Sequence, residues 1–346
     1  MIAPADKVDL RGRVTLRRTL VACSILLFIL LGAVLLTSLL GSERLPAREA
    51  ICALFSGGRS SCGLTPDQFA ILFEIRLPRV LLAAAVGASL AAAGASYQAL
   101  LRNPLAEPYL LGISNGAAVG TMIALVFFGA HEWSRPVMAF SGALLATLVV
   151  YRLARGRAGA TPERLILAGV IVTTFLSSVI VFVTTLMDAT RIRSFTFWLL
   201  GDLSGGTKNL LAVAIAIAIV GVAVLALNAR ALNLLMLGET DAFDLGVEVS
   251  RVRVMVFLAA SLLVGSSVAA SGSVGYVGLV VPHLVRLSLG SDNRMTIPAA
   301  ALAGSLFVII ADTIARTVIA PRELPVGAIT ALVGAPLFIY LLKRGR

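Results

Sequence analysis

Apolar residues run almost without a break through this chain, and one long interior stretch interrupts them. Runs near the ~20 residues that a helix needs to cross a hydrocarbon layer recur from end to end. With 58% hydrophobic and only 14% charged residues, the chain exceeds what a water-soluble core can bury. The bilayer therefore sets the size of the protein. Aromatic residues make up only 6%, and Ala, Gly, Leu and Val dominate. That composition favours closely packed helices over a β-barrel. The expectation is an all-α polytopic membrane protein, with residues 1–346 forming a single transmembrane domain.

The interruption is Ala231–Arg253. Glu239, Asp241, Asp244 and Glu248 crowd together in it, and Arg251 and Arg253 follow. Leu237, Phe243 and Leu245 are interleaved with the acids, with Gly238 in front and Gly246 behind. The spacing predicts a short amphipathic helix over Glu239–Leu245, closed by Gly246 in the left-handed conformation. A short helix with an apolar side at a membrane surface docks on a partner. A solvated connecting loop satisfies the same spacing, and spacing alone leaves both open.

The first span is read over Leu20–Leu40. Nine more follow at 80–101, 109–129, 137–155, 165–187, 208–228, 254–272, 276–290, 298–315 and 326–342. The region 252–292 is divided into two short crossings, because the basic tail Lys343–Arg346 then lies inside. Met1–Thr19 carries Lys7, Arg11, Arg13, Arg17 and Arg18 and is placed in the cytoplasm. The polar loop 41–78 lies outside, and the loop 229–253 inside. The first apolar run is too long for a cleavable signal peptide. Net charge is +11, but no basic stripe alternates with aromatics, so the charge is read as positive-inside flanks rather than a nucleic-acid surface. Even so, many arginines fall outside and require a reason.

Gly87-Ala-Ser-Leu-Ala-Ala-Ala-Gly94 resembles Gly265-Ser-Ser-Val-Ala-Ala-Ser-Gly272. Pro104 and Pro282, and Gly112 and Gly290, keep the same offset. The copies lie on the second and seventh spans, which run in opposite directions, so the pattern is an inverted repeat. Cys23 lies in the first span. Cys52 and Cys62 share the outer loop, where they pair in an oxidising compartment and otherwise remain free thiols. Thr173, Thr174, Ser177, Ser178, Thr184 and Thr185 form a hydroxyl stripe on the fifth span, suited either to helix packing or to substrate.

No nucleotide-binding loop is present: Gly205-Gly206-Thr207-Lys208 has the letters in the wrong order. His131 and His283 are far apart, and no metal site or cofactor is expected. An ion-coupled secondary transporter would need a membrane-embedded acid. The nearest is Asp312, at a span end.

Several stretches together closely resemble the FecCD-type permeases of type II ATP-binding-cassette importers, the family that takes up vitamin B12, ferric siderophores and haem. They are Arg76-Leu-Pro-Arg79, Asn103-Pro-Leu-Ala-Glu-Pro108, Leu111-Gly-Ile-Ser-Asn-Gly116, Leu237-Gly-Glu239, Leu245-Gly246, Gly275-Tyr-Val-Gly-Leu-Val-Val-Pro-His283, Ala311-Asp-Thr-Ile-Ala-Arg316 and Glu323-Leu-Pro-Val-Gly327. The chain departs from the family in its long outer loop with two cysteines, and at Pro162 and Glu163 where the vitamin B12 permease has small hydroxyl residues.

The resemblance implies a non-enzymatic bacterial inner-membrane permease with both termini in the cytoplasm. It implies a homodimer in membrane lipid, two ATPase subunits inside and a periplasmic binding protein outside. Gly238, Glu239, Ala242, Leu245 and Gly246 match the segment that couples to the ATPase, and Asn103 and Leu105 match the cytoplasmic gate. Arg76, Arg79 and Arg316 match arginines that meet acids on the binding protein. The last three would then sit open at the outer surface, with Arg76 and Arg79 at a helix start near Pro78.

Overall fold

The computed structural model describes residues 15–41, 43–128, 133–156 and 159–344. Lys7, Arg11, Arg13, His131 and Arg346 lie outside the described residues. Four helices lead into the bundle: α1 (Leu16–Leu39), α2 (Ala47–Phe55), α3 (Pro66–Ala70) and α4 (Leu77–Leu100). Next come α5 (Ile113–Ile123), α6 (Ser134–Ala154), α7 (Pro162–Leu186), α8 (Ala189–Leu199) and α9 (Lys208–Leu227). The chain ends with α10 (Ala229–Leu237), α11 (Glu239–Asp244), α12 (Val249–Ser271), α13 (Val277–Leu289), α14 (Asn293–Thr317) and α15 (Val326–Arg344). A two-residue hairpin pairs Arg155–Gly156 with Gly159–Ala160. The end of the bundle at which α1 begins is called proximal here, and the other end distal.

The ten predicted spans appear as α1, α4, α5, α6, α7, α9, α12, α13, α14 and α15. Six of them are long and apolar enough to cross a membrane by themselves, and α5, α13 and α15 are shorter apolar helices. The remaining one, α4, is built mainly from Ala, Gly, Ser and Leu, and 20 of its 24 residues are buried. It packs against α9, α12, α13 and α14. A helix hidden from lipid by its neighbours has no need of large apolar side chains, but it does need backbones to come close. They do: a Cβ on Gly94 would lie 2.0 Å from the Gly278 carbonyl, and one on Gly87 would lie 2.2 Å from that of Gly304.

Three expectations change. The outer loop 41–78 is structured by α2 and α3, and within it Cys52 and Cys62 are paired, as one of the two readings had it. A further helix, α8, fills the link between the fifth and sixth spans. Finally, α4 does not start at Pro78. A π-helical stretch, Ile71–Arg76, joins it to α3, so the turn at Arg76 and Arg79 has helix on both sides.

The repeated motif does lie on helices of opposite direction, α4 and α12, which pack together. Its two copies nevertheless end differently. Gly94 stays within α4, whereas Gly272 stops α12 with a φ of 66°. Gly272–Tyr276 then dips into the bundle before α13 begins. With 13 residues, α13 is about 20 Å long, less than the ~30 Å hydrocarbon layer. Its first turn touches α4 at Gly94, so it starts inside the membrane.

Gly94→Val forces the Gly278 backbone away from α4. The expected loss is about 3 kcal/mol, read as a lower unfolding temperature and loss of a monodisperse species in detergent. Unchanged thermal stability would show that the contact can relax freely.

Candidate functional site

At the proximal end, α11 forms where the amphipathic pattern predicts it, one residue shorter. Leu245 is its C-cap, and Gly246 takes a φ of 84°. Leu245 N–H bonds to Asp241 O at 3.1 Å and Val247 N–H to Ala242 O at 2.9 Å, so the last carbonyls are satisfied as the chain reverses. Ala242 is buried against the bundle. Leu237, Phe243 and Leu245 are instead 68%, 71% and 62% exposed. Asp241 and Asp244 are exposed beside them. An apolar ridge flanked by acids, beyond the ends of the spans, is a surface prepared for a partner.

Glu239 faces inward. Its Oε1 lies 2.5 Å from Arg253 Nη2, at the start of α12, and 3.5 Å from Arg102 Nη2. Arg102 precedes Asn103, so one carboxylate joins the surface helix, the root of α12 and the predicted gate. Behind it, Asn233 of α10 donates to Asp292 at 2.7 Å and accepts from Asn293 N–H and Nδ2, each at 2.9 Å. Burial pushes the Asp292 carboxyl up, but hydrogen bonds from Arg294 and Asn233 hold it below the usual carboxylate range.

Asn103 and Leu105, the expected gate residues, begin a second inward dip. The Asn103 side chain accepts from Leu105 N–H at 2.9 Å, closing a local turn, and Leu105 is exposed. From there the segment Asn103–Gly112 enters the bundle and meets the distal dip. The Tyr109 hydroxyl donates to Val274 O at 3.0 Å and accepts from Val274 N–H at 3.1 Å. Glu107 accepts from Tyr276 N–H at 3.1 Å, and Ser114 from α5 bonds to Ser273 at 3.3 Å. Irregular backbone at membrane depth survives when other protein groups satisfy it. Here each dip satisfies the other.

The distal arginines are not placed as expected. Arg76, Arg79 and Arg316 are buried. Arg79 Nε lies 2.9 Å from Asp312 Oδ1, and Arg79 Nη1 lies 2.7 Å from Glu323 Oε2. Arg316 Nε is 3.0 Å from Asp312 Oδ2, close enough for an ion pair but not aligned as a hydrogen bond. Arg316 also donates to the Leu40 and Thr37 carbonyls at 3.3 and 3.4 Å. Arg76 donates to Leu39 O at 3.0 Å and to Glu43 O. The expectation of open cations at a helix start is therefore corrected: these guanidinium groups satisfy the end of α1 and a buried acid. Asp312, shared by two arginines, is equally unavailable as a carrier of coupling ions.

Most of the hydroxyl stripe on α7 turns back on its own helix. Thr174, Ser178, Thr184 and Thr185 bond to carbonyls three or four residues earlier. Ser177 differs: it accepts from Asn115 Nδ2 of α5 at 2.8 Å. Thr207 of the Gly-Gly-Thr-Lys run caps the start of α9 through Leu210 N–H. Sequence reasoning missed two connections: Arg102 to Glu239, and Glu107 and Tyr109 to the backbone of Val274 and Tyr276. The available signal was a pair of unusually short, Pro- or Gly-bounded apolar segments, which marks the central path in transporters with repeats.

Similarity to known proteins agrees with this geometry. The chain is 42% identical to the hemin transport system permease protein of Yersinia pestis over 281 residues, covering 80% of this chain and 84% of the relative. It is 44% identical to the vitamin B12 import system permease protein of Vibrio cholerae over 281 residues, covering 79% and 83%. Among solved structures, a metal-chelate type ABC transporter in an inward-facing conformation superposes with a TM-score of 0.81 at 29% identity, covering 93% of this chain and 98% of that one. Residues 26–344 match the FecCD transport family, and the chain belongs to that family.

Proposed function

We propose that this protein is the membrane-spanning permease subunit of an ATP-driven importer for a large iron chelate, haem or cobalamin. The observation that carries the reading is α11. It is an apolar, acid-flanked ridge whose one inward carboxylate, Glu239, is bound to the gate segment and to α12. On this reading the proximal face is cytoplasmic, and each of two ATPase subunits takes one α11 ridge from a permease homodimer. The exposed apolar face of α7, with Phe175, Phe182 and Leu186, suits contact with the second copy and the shared path. Displacing α11 pulls on Glu239, and Arg102 passes the movement to Asn103 and Leu105. A periplasmic binding protein docks on the distal rim. There Arg76, Arg79 and Arg316 shape the surface from within, and the exposed Arg44, Arg48 and Arg322 present charge to it.

The direct test is uptake in liposomes holding the permease with its ATPase and binding protein. ATP-dependent accumulation of hemin, cobalamin or a ferric chelate is the expected result. Accumulation driven by an ion gradient without ATP would overturn the reading.

Glu239→Gln keeps the shape and removes the charge that Arg102 and Arg253 share. Transport per ATP hydrolysed is expected to fall at least tenfold while the subunits still co-purify. Gly246→Val meets no neighbour but forces a β-branched residue to a positive φ. Weaker ATPase co-purification is its expected signature. Normal coupling in both variants would remove α11 from the mechanism.

Asp312→Asn leaves the buried Arg316 without a carboxylate partner and Arg79 with Glu323 alone. A loss of about 3 kcal/mol follows from breaking such a cluster, measured as thermal stability in detergent. Changing Arg44, Arg48 and Arg322 together to Glu should instead leave stability alone and weaken binding-protein docking, in the same direction as added salt. Salt-independent docking, unchanged in the triple variant, would place the partner elsewhere.

A further inference from the structure

Helix α1 is fastened at one end only. Arg76 and Arg316 hold its distal carbonyls, and its buried residues are Thr37 and Ser38, both in that last turn. Its proximal half holds no buried residue, and Leu16, Leu20, Val21 and Ile25 are exposed. Between this half and helices α13 and α14 lies a cavity of about 780 Å³. Its walls are aliphatic and aromatic, with Val21, Ile25, Val281, Val285, Ala303 and Phe307 among them. Its polar lining is Thr15, Arg17, Arg18 and Ser288. Three of these begin α1, and Ser288 ends α13, so the polar groups gather at the proximal mouth. Among the described residues, neither Arg17 nor Arg18 has a carboxylate partner for its guanidinium.

We propose that this wedge is a binding site for one anionic glycerophospholipid of the proximal leaflet, with an acyl chain in the groove and the phosphate at Arg17 and Arg18. The inference rests on the membrane placement of the spans and does not depend on the transport reading. A dry apolar groove facing lipid is filled by hydrocarbon rather than water. Two guanidinium groups with no carboxylate partner among the described residues, at the leaflet surface, select a negative headgroup. Free phosphate would leave the groove empty. Residues 1–14 carry Asp6 and Asp9 as well as Lys7, Arg11 and Arg13, so the test includes a deletion there.

The test is native mass spectrometry of the full-length chain in detergent, titrated with phosphatidylglycerol or phosphatidylcholine. The expected result is one retained phosphatidylglycerol per chain, with a preference on the order of tenfold over phosphatidylcholine. Arg17→Gln with Arg18→Gln should bring that preference close to one without abolishing lipid retention. Ala303→Phe fills the groove and should remove retention of both lipids while the arginines remain. Excess inorganic phosphate should displace nothing. The proposal is overturned by equal retention of the two lipids in the unaltered chain, by a preference that survives the double substitution, or by displacement with phosphate. It is also overturned if a folded Ala303→Phe protein keeps its lipid, or if deleting residues 1–12 raises lipid binding, which would make that segment the occupant.

Discussion

Backbone polar groups at membrane depth must find partners within the protein, and the centre of this fold is arranged around that constraint. Two segments outside the α-helices, Asn103–Gly112 (with one 3-10 turn at Pro108–Leu111) and Gly272–Tyr276, enter from opposite faces. Either alone would strand N–H and C=O groups in hydrocarbon. Together they bond through Tyr109 and Val274 in both directions, and through Glu107 and Tyr276. The meeting is possible because α4 beside it is narrow. Gly94 lets α13 begin against its backbone, and Gln98 on the same helix donates to Leu279 O at 3.3 Å and accepts from Arg286. Small residues on one helix thus permit broken backbone on another.

The same ionic device serves each end of the bundle at a different burial. Distally, Asp312 is shared by Arg79 and Arg316, and all three side chains are at most 8% exposed. Proximally, Glu239 is shared by Arg253, which is 7% exposed, and by Arg102; Glu239 and Arg102 are 36% and 37% exposed, so the Glu239–Arg102 contact is the half-exposed one. A buried cluster is costly to open because it leaves charge without water or partner. A half-exposed one exchanges partners with water for little free energy. The distal cluster therefore acts as a fixed clasp on α1 and α14. The proximal one is suited to a contact that is made and released as a partner moves.

The spans were legible because long apolar runs advertise themselves: past Thr19, Arg164 and Asn209, helices α1, α7 and α9 carry no charged side chain through their last residue. The α11 turn was legible from Leu237, Phe243, Leu245 and Gly246, whose spacing and φ requirement are local properties. What sequence could not show was pairing across distance. Arg79 and Asp312 are 233 residues apart, so an arginine committed to a buried acid reads like one waiting at the surface. Helices α2, α3 and α8 were hidden for another reason. They lie in polar links, where amphipathic pattern competes with the composition of a loop. The continuity of α4 through Pro78 was hidden because proline in a first turn looks like a beginning, while here the π-helical turn before it supplies the helix instead.

The arginines at the distal end also have an internal role. Arg76 and Arg316 occupy carbonyls at the end of α1 that have no partner within their own helix. A lysine could reach one such carbonyl, whereas the guanidinium fork reaches two, as Arg76 does with Leu39 and Glu43 and Arg316 with Thr37 and Leu40. Satisfying a helix end that lies beside the membrane is thus reason enough for these two arginines, and Arg79 is accounted for by Asp312 and Glu323. Fastening α1 in this way concentrates its buried residues, Thr37 and Ser38, at the distal end, while its proximal half borders the groove against α13 and α14.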